Sequence, residues 1–394
     1  MRSFVLLSLA VAALASPAPA PGPVAPKGKA SEVIPGSYIV KLKDTSSKEA
    51  VTSFLGRKSF RRKTPRRTYQ AANFKGFATE LSVTEKAQLE QDSTVESIEP
   101  DHWLYINGVV NQASATWGLA KLSQGRGIAS DYQYDETAGA GTCSYIVDTG
   151  VYTAHPDFGG RASFGVSYET TDGTNTDDHG HGTHVAGTVG SSTYGVAKKT
   201  QVVAVKVCNK NGGCRASDVI AGLQWVVNDR VARNCSMGAV VNLSLGTTSS
   251  EWTSVRDAVT TLTNAGVFVA VAAGNSGVDA ANSYPASAPN ACTVGATDST
   301  DKLASFSNFG AVVDILAPGV YITSLSNSGN GTAIMSGTSM ASPHIAGLAA
   351  YFNGLMRVRP TPVQLCDIMK ILSVVNKVKS VPRGTFNRLA YNAL

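Results

Sequence analysis

No run in this 394-residue chain is apolar for long enough to cross a bilayer, which takes about 20 residues. No Cys-x-x-Cys pair of zinc-binding spacing occurs among its 6 cysteines. Internal repeats are missing as well. An excess of one charge sign is lacking where it would matter. The net charge is +6, but residues 1–26 hold one Arg and no acid, residues 27–109 hold 14 Lys+Arg against 10 Asp+Glu, and residues 110–394 hold 19 against 18. The long C-terminal part is therefore nearly neutral and offers no basic surface for nucleic acid.

What is present suits a soluble α/β protein with many tight turns: 43% hydrophobic residues and 38 glycines. The length exceeds one ordinary domain, so two domains, or one domain with removable segments, are expected. Arg2, the short apolar stretch 4–15 and its Ala13-Leu14-Ala15 end read as a signal peptide over residues 1–15. A Pro-rich linker, 16–33, follows. Export would place Cys143, Cys208, Cys214, Cys235, Cys292 and Cys366 in an oxidising compartment, where an even number implies disulfides. Six cysteines allow about 15 pairings, and spacing alone selects none.

Residues 34–107 have the texture of a small domain. Ser37-Tyr38-Ile39-Val40-Lys41-Leu42 alternates as a strand does, Ser82 and Glu85 form a capping pair ahead of a helix through Leu89, and 95–98 and 102–106 are again strand-like. The basic cluster 61–67 reads as a solvated loop rather than a processing site. From about residue 110 apolar runs (145–147, 202–207, 239–245, 267–272) alternate with helices. One helix is capped at Ser217 and carries Val219, Ile220, Leu223, Val226 and Val227 on one stripe; another covers 253–264 and is closed by Gly266. That alternation predicts a parallel sheet covered on both faces, with ligands at the carboxyl ends of its strands. Asp148 and Asn275 fall just past such ends.

Three segments carry the chemistry: Ile146-Val147-Asp148-Thr149-Gly150, His181-Gly182-Thr183-His184, and Gly337-Thr338-Ser339-Met340-Ala341-Ser342-Pro343. A serine hydroxyl is a weak nucleophile near neutrality and needs a base for its proton. Ser339 supplies the nucleophile, His181 the base, and Asp148 the carboxylate that orients the imidazole. Ser339 is expected to open a helix running to Met356, aiming free N–H groups at an oxyanion. In Ala272-Ala273-Gly274-Asn275-Ser276-Gly277, Asn275 is the candidate side-chain donor to the same oxyanion. His179, His181 and His184 resemble a metal cluster only superficially, because no Glu base and no second ligand group accompany them. His184 and His344 read as core histidines. A secreted binding protein that lost catalysis is the competing class, and a missing acid, base or nucleophile would favour it; none is missing.

At these residues the chain resembles the subtilisin-like serine proteases, and within them the fungal proteinase K branch. The likeness runs through 110–394, including Trp117-Gly118-Leu119-Ala120 and Tyr194-Gly195-Val196-Ala197-Lys198-Lys199. An α/β-hydrolase is disfavoured, since Ala341 replaces the last glycine of Gly-x-Ser-x-Gly and Ser follows Asp and His. The resemblance implies a three-layer α/β fold with a mostly parallel sheet over 110–394, preceded at 34–109 by a ferredoxin-like α+β inhibitory propeptide cleaved near Val110. It implies a monomeric secreted endopeptidase made as a zymogen, acting on proteins and peptides, inhibited by its own propeptide, with no nucleic-acid or membrane partner. Ser244-Leu245-Gly246 with Gly212 would bind the substrate backbone as an added strand. Ala272-Ala273-Gly274 would wall an apolar pocket selecting apolar or aromatic residues before the scissile bond. The implied disulfides are Cys143–Cys235 and Cys292–Cys366, which leaves Cys208 with Cys214. One structural calcium is implied at Asp314 with the carbonyls of Pro289 and Ala291, and no second, because Lys377 stands where that site needs an acid. Val185 takes a position often held by a free cysteine. Asn330-Gly331-Thr332 is a glycosylation acceptor, whereas Asn242-Leu243-Ser244 fits the pattern in a strand expected to be buried.

Overall fold

The computed structural model describes residues 32–43, 65–71, 74–103, 108–123, 130–171, 173–248, 252–356 and 359–394. The chain divides into two compact units, Met1–Gly108 and Val109–Leu394. The expected signal peptide, most of the 16–33 linker, residues 61–64 of the basic cluster and residues 104–107 lie outside the described residues.

In the first unit, β1 (Glu32–Leu42), β2 (Arg67–Ala71), β3 (Phe74–Glu80) and β4 (Val95–Trp103) form one antiparallel sheet. Its order from one edge is β4-β1-β3-β2, the order of a ferredoxin-like split β-α-β. Helix α1 (Val83–Glu90) joins β3 to β4. Ser82 and Glu85 cap it reciprocally, which satisfies two donors that the first turn leaves free. Val40, Leu42, Phe77, Leu81 and Leu89 make the core. The backbone of β3 passes so close to β1 that a Cβ on Gly76 would lie 2.1 Å from the Val40 oxygen.

The second unit adds β5 (Val109–Gln112), α2 (Trp117–Leu122), β6 (Tyr132–Asp135), β7 (Cys143–Asp148), β8 (Ala162–Ser167), α3 (His181–Gly190), β9 (Gln201–Lys206), α4 (Ala216–Ala232), β10 (Ala239–Leu243), α5 (Thr253–Asn264), β11 (Phe268–Ala272), β12 (Cys292–Thr297), β13 (Ile315–Pro318), β14 (Ile322–Leu325), β15 (Thr332–Met335), α6 (Thr338–Leu355), α7 (Pro362–Leu372), β16 (Val374–Val375) and β17 (Arg388–Leu389). Nine of these strands form one sheet in the order β16-β17-β13-β12-β11-β10-β7-β9-β8. Every neighbouring pair is parallel except β16 with β17. Alternate residues of the central strands go to opposite faces. Ile146, Val202, Ala204, Val240, Phe268 and Ala270 face α3 and α6, with Val185, Val189, Met340 and Ile345. Tyr145, Val147, Val203, Val205, Val241, Val269 and Val271 face α4 and α5, with Val219, Leu223, Val255 and Val259. Strands buried on both sides need continuous apolar sequence, and that is why these runs show no polar alternation.

Helix α4 begins two residues earlier than Ser217 would place it. Arg215, in extended conformation, is its N-cap, and the Ser217 hydroxyl turns to Asp218 at 3.3 Å. Three disulfides join Cys143 to Cys235, Cys208 to Cys214 and Cys292 to Cys366. After β7 the chain moves to β8 and β9 on one side of it and then to β10 on the other. Such a reversal opens a crevice beyond the strands' carboxyl ends.

Candidate active site

Asp148 is the last residue of β7, 2% exposed, at the mouth of that crevice. Its Oδ1 accepts from the Thr149 N–H at 2.7 Å and from His181 Nδ1 at 2.8 Å. With an acceptor-only carboxylate on Nδ1, the neutral imidazole carries its proton there and leaves Nε2 as a lone pair. Asp148 Oδ2 is buried and has no hydrogen-bond partner among the described residues. Burial works against the imidazolium of His181. The charge and hydrogen bond of Asp148, with a smaller contribution from Asp177, outweigh it, and the His181 pKa stands above its ordinary 6.5.

Glycine makes this pairing possible. A Cβ on Gly182 would sit 2.1 Å from the Gly150 oxygen and 3.2 Å from Asp148 Cβ, so the helix start can approach the strand end only without a side chain. Asp177, 2% exposed, fastens the two together. Its Oδ1 accepts from the His179 N–H (3.1 Å), the Gly180 N–H (2.8 Å) and the Thr149 hydroxyl (2.8 Å). Its Oδ2 accepts from the N–H (2.8 Å) and the hydroxyl (2.6 Å) of Thr183. Thr149 Oγ1 in turn accepts from the Gly182 N–H at 3.0 Å. The carboxylate thus satisfies free donors at the start of α3 and favours that end of the helix electrostatically. Lys206, wholly buried, donates to the Thr149 carbonyl at 2.9 Å.

Ser339 is the second residue of α6, where backbone N–H groups have no intrahelical partner. Its hydroxyl donates to the Ser244 carbonyl at 3.2 Å, and among the described residues no hydrogen bond joins it to His181. Ser244 answers: its own hydroxyl donates to the Ser339 carbonyl at 2.8 Å. That carbonyl lacks the usual helical partner because the residue four places on is Pro343, which has no N–H. Asn242, 1% exposed, donates to Ser244 Oγ and accepts from Ser342 Oγ, both at 2.8 Å.

Asn275 follows β11. Its Oδ1 accepts from the N–H and the hydroxyl of Thr338, both at 2.8 Å. A backbone N–H can only donate, so the oxygen of the amide must face Thr338, and the –NH2 is left for the cleft. Asn308 braces the turn: its –NH2 donates to the Ala273 carbonyl and its oxygen accepts from the N–H groups of Ser276 and Val278.

Asp148, His179, His181, Gly212, Ser244, Leu245, Gly246, Ala272, Ala273, Gly274, Asn275 and Ser339 all line one cleft of about 710 Å³. His179 is exposed on its wall, its ring 6.2 Å from that of His181. His184 and His344 stay in the core. His184 bonds the Ile322 carbonyl at 2.9 Å and His344 the Met340 carbonyl at 2.8 Å; burial pushes both pKa values down to about 4.

The Subtilase family profile matches residues 139–364, and that of Peptidase inhibitor I9 matches 37–107. The chain belongs to the subtilase family. The "Subtilisin-like serine protease AsES" of Sarocladium strictum is 47% identical to this subtilase over 360 residues, 91% of this chain and 90% of that one. "Proteinase T" of Parengyodontium album is 53% identical over 298 residues, 75% of this chain and 98% of its own. The solved "cold adapted subtilisin-like serine proteinase" shares 41% identity with a TM-score of 0.63, covering 71% of this chain and 99% of that one. This subtilase is therefore a subtilisin-like serine protease with an I9 inhibitor propeptide ahead of the protease.

Asp314 lies away from the cleft, beside the Cys292–Cys366 disulfide. Its Oδ2 accepts from the Thr293 N–H at 2.9 Å and its Oδ1 from Lys370 Nζ at 3.2 Å. The sulfurs nearby are bonded to each other and cannot ligate. An ammonium on the carboxylate does not fit the calcium expected at Asp314, Pro289 and Ala291. Sequence reasoning also missed Asp177, Lys206, Ser244 Oγ and Asn308 as supports of the site. Of these, Ser244 was read for its backbone alone, Lys206 lay inside the apolar run 202–207, and Asp177 stood four residues before His181.

Proposed function

We propose that this subtilase is a secreted endopeptidase, made as a zymogen, in which Ser339 attacks the peptide carbonyl, His181 takes its proton and Asp148 holds the imidazole. The observation that carries the reading is the 2.8 Å Asp148–His181 bond on the same cleft as a serine at a helix N-terminus. In the resting arrangement the Ser339 hydroxyl is parked on the Ser244 carbonyl. Rotation about its Cα–Cβ bond releases it towards Nε2, as catalytic contacts commonly tighten only with substrate bound. The oxyanion that forms meets the Asn275 –NH2 and the Ser339 N–H, and His181 then gives its proton to the leaving amine. Water repeats the sequence on the acyl-enzyme.

Gly212 on one side and Ser244-Leu245-Gly246 on the other would take the substrate backbone as a strand. Ala272-Ala273-Gly274, with no bulk to fill their side of the cleft, favour an apolar or aromatic residue before the scissile bond. Export is supported by the signal-like residues 1–15 and by three disulfides. The mature enzyme would span 110–394, with 34–109 as its inhibitor. Val110 lies inside β5, opposite Tyr134, so cutting there requires that pairing to open.

The test is labelling of the purified protein with a sulfonyl fluoride or phosphonate, followed by peptide mapping. Modification of Ser339, absent in Ser339→Ala, is expected. Unmodified Ser339 in a protein with a processed N-terminus would refute the assignment.

A further inference from the structure

Both places where the resemblance would put a bound cation hold lysine instead. Asp314 precedes β13, and its carboxylate faces Lys370 of α7 at 3.2 Å. The same ammonium reaches Asp367 at 2.8 Å, so it is shared by two acids. The Lys370 and Asp314 side chains are only 24% and 23% exposed. A calcium ligated by Asp314 would need an oxygen at about 2.3–2.6 Å; one carboxylate oxygen takes the Lys370 ammonium and the other the Thr293 N–H, and the lone pairs left over would bring the ion in beside Lys370. The ion would also have to sit against a like charge.

The second place repeats the pattern. Asp301 has Lys121 Nζ of α2 at 2.7 Å from one oxygen and Lys377 Nζ at 3.6 Å from the other. Lys370 is tied into its surroundings by its backbone too: its carbonyl accepts from Arg388 Nη1 and Ser373 Oγ, both at 2.6 Å. The ammonium therefore joins α7 to the start of β13 across the same seam that Cys292–Cys366 staples. We infer that Lys370 is the resident cation of Asp314, replacing a structural calcium, and that the stability of this protease does not depend on calcium there.

Thermal melting of the purified, sulfonyl-fluoride-inactivated protein in EDTA and in millimolar calcium tests this without self-digestion. The wild-type midpoint is expected to be the same in both. Lys370→Met is expected to melt lower in EDTA by about 2 °C or more and to recover in calcium, because Asp314 is then open to the ion. Lys370→Arg keeps the charge and should behave as wild type. A wild-type midpoint that rises with calcium and loses that response in Asp314→Asn would overturn the inference. So would a Lys370→Met protein as stable as wild type in both buffers. A wild-type calcium response that survives in Asp314→Asn belongs to another place, and the Lys370→Met melt in EDTA then decides. Should Lys370→Met not fold, isothermal calcium titration of wild type against Lys370→Arg and Asp314→Asn decides alone: binding that needs Asp314 sinks the proposal, and none supports it.

Discussion

Asp177→Asn probes the join between the acid-bearing strand and the base-bearing helix. The substitution keeps the shape and removes the charge. Asp177 accepts five hydrogen bonds, three on Oδ1 and two on Oδ2. The least disruptive amide puts –NH2 at the Oδ2 place, where the Thr183 hydroxyl can turn to accept but the Thr183 N–H cannot. One buried N–H is then unbonded, which costs about 1–3 kcal/mol, or very roughly 2–4 °C of melting temperature per kcal/mol. The kinetic effect has its own sign. His181 is held above 6.5 chiefly against its burial, by Asp148 first and Asp177 after it. Without the second charge, burial gains and the imidazole loses its proton at lower pH. The acid limb of kcat/KM should therefore move to lower pH while the plateau falls. His184, and Lys206 behind Thr149, are present in both proteins and cancel in the comparison. The assay is a pH series with a short chromogenic peptide beside a melting curve. An acid limb in its wild-type position, together with an unchanged melt, would refute the reasoning.

Thr338→Val removes the hydroxyl that donates to the Asn275 oxygen and accepts from the Gly274 N–H, but keeps the Thr338 N–H bond, so kcat should fall about tenfold or more, one to two hydrogen bonds' worth, with KM rising as well because Gly274 lines the cleft. Wild-type turnover would show that the N–H alone holds the amide. Asn275→Ala sets the lower bound, about 10²–10³ down, a range taken over from subtilisin itself. Replacing Cys208 and Cys214 together by Ser frees the turn that carries Gly212. Closing so short a loop contributes about 2 kcal/mol in the chain-entropy picture, so the larger effect should be on KM for peptides long enough to lie along the cleft, and an unaltered KM would detach Gly212 from substrate binding.

The central strands were legible because parallel strands buried on both faces leave unbroken apolar runs, as in Val202 to Val205 of β9. Asp148, His181 and Ser339 were legible because close approach demands glycine, and Gly150, Gly182 and Gly337 advertise it. The supports were hidden for physical reasons. Asp177 acts through backbone N–H groups, which every residue has. Asn308 braces the Asn275 turn from another part of the chain, and Ser244 completes a carbonyl that only the fold of α6 brings near. Position Ser217 misled because a hydroxyl beside Asp218 has a local partner that competes with capping. The calcium expectation weighed the ligands at Asp314 and not the Lys370 ammonium that a helix further along lays against them.

Asn392, well after Ser339 in the chain, donates from its backbone to the Leu122 carbonyl at 2.8 Å and from its side chain to the Gln133 carbonyl at 2.5 Å. Just before it, Leu389 of β17 pairs with Leu316 at the sheet's edge. During translation, then, Asp148, His181 and Ser339 all leave the ribosome before the bonds that join Asn392 to α2 and β6 can form. The seam between α2, β6 and the sheet is thus closed by residues made after the whole lining of the cleft.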